Sequence, residues 1–146
     1  MKSVLACVDF SALEHPVIDA AVALACASGG ELHVLHVADP EPDFVGYGVG
    51  PEGVRDGVAL TLREEHRRVE VLAEQASQRG LAAHAHLVRG PHAETILREA
   101  ERLGTDVIVI GSHRHGRLHT LLVGSVAAHV LRGAKVPVLV VPSREH

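Results

Sequence analysis

Short runs of consecutive apolar residues alternate along this chain with longer stretches in which apolar positions recur every three or four residues. The short runs are Ser3–Asp9, Glu31–Ala38, Ala82–Val88, Asp106–Ile110 and Val136–Val141. Their continuous apolar character predicts strands buried on both faces. Between them, Leu13–Ser28, Val58–Arg79, Pro91–Leu103 and Ser125–Arg132 carry helical periodicity, and Gly29-Gly30, Gly80, Gly104 and Gly133 close them. Pro91 suits the first position of its helix. The charges Arg63, Glu64, Glu65, Arg67, Arg68 and Glu70 read as the solvated face of the second helix. Asp39–Gly57, rich in Pro, Gly and acidic residues, reads as a long loop.

The order β-α-β-α-β-α-β-α-β predicts an α/β fold: a single doubly wound five-stranded parallel sheet, order 3-2-1-4-5, with helices on both faces. Without an internal repeat, residues 1–146 read as one domain. Pro137 lacks the N–H that a central ladder needs, which puts the last strand at an edge. An apolar edge needs cover, and pairing with a second copy through Val136–Val141 supplies it, so a homodimer is expected.

Composition narrows the classes. Hydrophobic residues make up 47% of the 146, enough for a core, while 22% charged residues argue against disorder. A net charge of -4 and 2% aromatics give neither the basic stripe nor the stacking platforms of a nucleic-acid binder. No apolar window is long enough to span a membrane, and Asp9, Glu14 and Asp19 interrupt the first apolar stretch as a signal peptide would not tolerate. A cytoplasmic protein is expected. Cys7 and Cys26 form no C-x-x-C pair and read as reduced core thiols.

In an open parallel sheet, ligands bind beyond the carboxyl ends of the strands where the order reverses. Here that point lies between strands 1 and 4, whose ends carry Asp9 and Gly111. After Gly111 runs G-S-H-R-H-G-R-L-H-T-L-L-V-G-S-V, to Val126. Gly111 permits an unusual backbone exit and a close ligand approach. Ser125 reads as the N-cap of the following helix, whose free N–H groups form an anion site. Arg114 and Arg117 can add charge. The same spacing also fits an ordinary strand–loop–helix connection. Gly111 and Gly116 have P-loop spacing, but Arg117 and Leu118 stand where Lys and Ser/Thr belong, so a P-loop is rejected. No G-x-G-x-x-G follows the first strand, against a dinucleotide site.

The chain resembles the universal stress protein family. Val8–Ser11 (V-D-F-S), L-H-V-L-H-V in strand 2, V-R-G-P-H-A-E-T-I-L before helix 3 and V-L-R-G-A-K-V-P-V-L-V-V-P at the end all fit it. So do Gly111, Gly124 and Ser125, at the first glycine, last glycine and hydroxyl of the family's post-strand-4 motif. The resemblance implies an adenine nucleotide, ATP with or without a divalent cation. Asp9 would touch the ribose or adenine side, Val37 would line the adenine pocket, and Gly111, Gly124, Ser125 and Val126 would hold ribose and phosphates. It implies dimers through the last strand as well. One departure stands out: Arg114 occupies the motif's second glycine, and glycine is displaced to Gly116. Either the loop bends at Gly116, or the phosphate cradle is altered with Arg114 as a clamp.

Among the twelve histidines, His113, His115 and His119 cluster in the loop, His84 and His86 share a strand face, and His33 and His36 face opposite ways. None has zinc-site spacing, so no metal ligand is assigned. No Ser/His/Asp or Cys/His arrangement points to a catalytic residue. The expected function is a nucleotide-binding stress or signalling module. The alternatives are a degenerate, non-nucleotide-binding dimeric interaction protein and a weak ATP hydrolase.

Overall fold

The structure, a computed structural model, describes residues 1–40, 51–112 and 123–143, with side chains in the second stretch from residue 57. In chain order the elements are β1 Ser3–Cys7, α1 Glu14–Ser28, β2 Glu31–Ala38, α2 Pro51–Ser77, β3 Ala83–Arg89, α3 His92–Leu103, β4 Val107–Gly111, α4 Ser125–Gly133 and β5 Val138–Val141. The five strands form one sheet in the order β3-β2-β1-β4-β5, every pair parallel. The predicted order and fold class hold.

The pleat sends alternate residues of each strand to opposite faces. Val4, Ala6, Leu32, Val34, Val107 and Val109 pack with α1 and α2. Leu5, Cys7, Leu35, Val37, Ile108 and Ile110 pack with α3 and α4. That double burial explains the unbroken apolar strand runs. Each fully buried Leu or Val contributes about 1.5–3 kcal/mol of transfer free energy. The helices α1 and α3 end on Gly29 and Gly104, both in the left-handed conformation (φ 66° and 63°) that glycine adopts without steric cost.

Most boundaries shift by a residue or so, and three elements differ by more. Helix α2 begins at Pro51, not Val58, and runs for 27 residues. Proline suits a helix start, and Val69, Leu72, Ala73 and Ala76 seat the second half of α2 on the core, so tertiary packing outweighs the weak propensity of Gly53 and Gly57. The strand β1 stops at Cys7, leaving Asp9 in the turn beyond it. Strand β5 starts at Val138; Pro137 lies just ahead, its carbonyl accepting the Ile108 N–H at 3.0 Å.

At the amino end of the sheet, Asp106 Oδ2 accepts the N–H groups of Lys2 (2.6 Å) and Ser3 (3.0 Å), fastening β1 beside β4. Those two backbone donors hold its carboxyl below the ordinary carboxylate range. No helix among the described residues is long and apolar enough to cross a membrane.

Candidate functional site

β1 pairs with β2 on one side and β4 on the other, so the strand order reverses at β1. Above the carboxyl ends a cleft of about 220 Å³ opens between the starts of α1, α3 and α4. Asp9, Val37, Gly111, Gly124, Ser125 and Val126 all line it. Six of the eight residues singled out in the sequence thus come together from four separate segments. Arg114 and Gly116, like His113, His115 and His119, lie outside the described residues.

The floor is apolar: Cys7, Leu35, Val37, Ile96 and Ile110. Burial pushes the Cys7 thiol up to about 12, so it stays protonated and behaves as one more apolar group. Cys26, by contrast, is exposed. Beside the floor stand two carboxylates, Asp9 and Glu14. Asp9 Oδ1 accepts the Ser11 N–H at 3.1 Å, closing the turn that leaves β1. The Ser11 hydroxyl then accepts the Leu13 N–H at 3.2 Å and its carbonyl the Glu14 N–H at 3.1 Å. Two successive local turns therefore lead the chain from β1 into α1. Ser11 serves the approach to α1; the cap residue itself is Leu13.

Across the cleft, α4 presents its N-terminus. Gly124 occupies the cap and Ser125 is the first helical residue, with no side-chain capping bond. This corrects the expected cap role of Ser125. The shift leaves its hydroxyl at the mouth of the helix, beside first-turn N–H groups that have no intrahelical acceptor. Such an end favours an anion.

Gly111 is required for a different reason than the sequence suggests. It is not among the positive-φ residues. A Cβ there would lie 2.9 Å from Leu13 Cδ1 and 3.2 Å from Leu13 Cβ. Glycine is needed because α1 rests directly on the strand. The backbone distortion sits instead on Phe10, at φ 62°, a rare conformation for a bulky side chain.

Sequence reasoning also missed Leu13, Glu14, His92 and Ile96, which line the cleft as well. His92 stands at the start of α3, its Nε2 3.1 Å from Asp39 Oδ1 just beyond β2. The rule that ligands sit at carboxyl strand ends could have found it, since V-R-G-P-H marks where β3 gives way to α3.

The chain matches the model of the universal stress protein family over residues 1–142. It is 34% identical over 131 residues to universal stress protein A homolog 2 of Coxiella burnetii (88% of this chain, 85% of that one). With universal stress protein YxiE of Bacillus subtilis it shares 30% over 145 residues (96% and 98%). The crystal structure of a protein from the same family in Burkholderia pseudomallei superposes with a TM-score of 0.75 at 30% identity, covering 97% and 96% of the two chains. Two more distant structures share the fold. One is a universal stress protein in complex with cAMP (22% identity, TM-score 0.66, covering 97% and 96%). The other is the universal stress protein from Archaeoglobus fulgidus in complex with dAMP (21%, 0.64, covering 96% of both). With the family model spanning nearly all of its length and relatives at 30% identity or above, this chain belongs to the universal stress protein family.

Proposed function

We propose that the protein binds an adenine nucleotide, ATP first, in the cleft between β1 and β4, and that occupancy shifts its conformation or its choice of partner in a stress or signalling role. One observation carries the reading. A single cleft joins an apolar slot, a carboxylate at one wall and a helix N-terminus at the other, and these suit a base, a ribose and a phosphate chain in turn. The slot formed by Val37, Leu35 and Ile96 takes the adenine. Asp9 accepts from ribose hydroxyls, and the α4 start with Gly124, Ser125 and Val126 faces the phosphates. Gly111 keeps the path between them open, and the family resemblance adds Arg114, as a phosphate clamp, and Gly116, the displaced glycine of the motif. A divalent cation would enter with them. The cAMP and dAMP complexes of two family members support an adenine ligand.

The same reading includes a homodimer through β5, an edge strand whose Leu139 is 40% exposed.

Isothermal titration calorimetry with ATP, AMP and cAMP tests the nucleotide site. Millimolar ATP that yields neither heat nor a thermal shift would overturn it in favour of an interaction protein. Gly124→Asp sets a carboxylate where phosphate belongs and should weaken ATP binding more than a hundredfold, about 3 kcal/mol. An unchanged affinity would contradict the pose.

A further inference from the structure

Among the described residues, the turn that presents Asp9 to the cleft holds the one non-glycine position with positive φ. Phe10 has a φ of 62°, a conformation that persists only where the surroundings over-determine it. Two side chains from other elements do so here. The His36 imidazole, from β2, stacks on the Phe10 ring with centroids 4.1 Å apart and planes 28° apart. The Arg68 guanidinium, from α2, lies 4.1 Å over the same ring. Two planar groups at that spacing cannot share a face, so the ring is sandwiched between them.

His36 does more than stack. It is only 7% exposed, and its Nδ1 donates to the carbonyl oxygen of Val8 at 2.9 Å. Val8 N–H in turn donates to the Leu35 carbonyl, next to His36, at 2.9 Å. One imidazole thus grips the residue before Asp9 through a hydrogen bond and the residue after it through a ring contact. Because a carbonyl only accepts, the bond to Val8 requires a proton on Nδ1 and fixes the ring's orientation. The far nitrogen, Nε2, stands 3.5 Å from Glu65 Oε2 on α2. Arg68 completes the surround, 3.6 Å from Glu14 Oε2 on α1. Glu14 also lines the cleft, so the Phe10 ring and the wall that meets the ligand share a cation.

We infer that His36 is a positioning residue for the nucleotide: gripping Val8 and Phe10 on either side of Asp9, it holds the Asp9 carboxylate in its place on the cleft wall. The inference rests on the proposed nucleotide site. His36 itself does not line the cleft; it acts through the turn.

The test separates positioning from bulk stability. His36→Leu removes both grips, His36→Asn keeps a donor for the Val8 carbonyl, and His36→Phe keeps the ring contact but not the donor. ATP affinity of the folded protein should fall about tenfold in His36→Leu, the effect of losing one buried hydrogen bond, and recover most of the way in His36→Asn. In ligand-free protein, the one-bond Cα–Hα coupling of Phe10, which distinguishes positive from negative φ, should change in His36→Leu and hold in wild type. Should His36→Leu not fold, His36→Phe serves, with a smaller affinity loss and shifted Asp9 and Ser11 amide resonances. Wild-type affinity together with an unchanged Phe10 coupling in these variants would overturn the inference. If wild type binds no ATP, the nucleotide reading falls, and the ligand-free coupling alone decides whether His36 sets the turn.

Discussion

Strand β2 carries two buried histidines three residues apart, and the sheet puts them to different uses. His36, on the α1 and α2 face, bonds to backbone at the edge of the cleft. His33, on the α3 face and nearer the amino end, bonds only to side chains. Its Nδ1 lies 2.9 Å from His86 Nε2 and its Nε2 3.1 Å from Glu31 Oε1. His84 Nε2 stands 3.4 Å from the other Glu31 oxygen. The Glu31 carboxylate can only accept, so His33 Nε2 donates to it. That hydrogen bond, with the nearby imidazoles, holds the Glu31 carboxyl below its ordinary range. Between His33 and His86 there is room for one proton. Burial chiefly, and then the charges of His33 and Arg102, hold His86 below the ordinary histidine value. One histidine locks neighbouring strands together; the other restrains a turn. Apolar surroundings and hydrogen bonds are common to both, and what separates them is whether the partner is a side chain or a functional backbone segment.

The comparison breaks if substitutions at the two positions have the same effects. The largest stability effect is expected for His33→Leu, which strips Glu31 and His86 of their common partner. It should cost about 1–2 kcal/mol in urea unfolding and leave ATP affinity within about twofold, because nothing it touches lines the cleft. A fall in affinity matching that of His36→Leu would erase the distinction. The pH response comes next. The folded pKa of His86 lies below the ordinary histidine value of about 6.5, so below that pH the unfolded chain binds more protons at this site than the folded one. The stability His86 contributes is therefore complete above about pH 6.5 and is lost as pH falls. Thermal unfolding should show a lower Tm at pH 5.5 than at pH 7.5, and His86→Leu should shrink that difference. The smallest effect belongs to His84→Gln. The ring is half exposed, and the change should stay within about 0.5 kcal/mol, confining the network's weight to His33 and His86.

Much of this was legible in the sequence, for identifiable reasons. Parallel strands buried on both faces leave unbroken apolar runs, so β1, β2 and β4 stood out, and Pro137 marked the edge. Once the order was inferred, the cleft followed from chain direction, bringing Asp9, Gly111 and Gly124 together. What the sequence concealed depended on packing. The start of α2 was hidden because Gly53 and Gly57 read as loop residues while the energy that seats the helix comes from Val69 and Leu72, far along it. Phe10 was hidden because positive φ is announced by Gly or Asn, not by an aromatic held between a histidine and an arginine. Gly111 was singled out for backbone freedom when the true constraint is the approach of Leu13.

That last contact has a mechanical consequence. Leu13 already fills the space that a Cβ on Gly111 would need, so the start of α1 has little slack with which to press down on a ligand. It acts as an anvil. Any adjustment to a ligand must come from the opposite wall, at the start of α4. A probe attached near Val123 should therefore report occupancy, whereas one on α1 should stay silent.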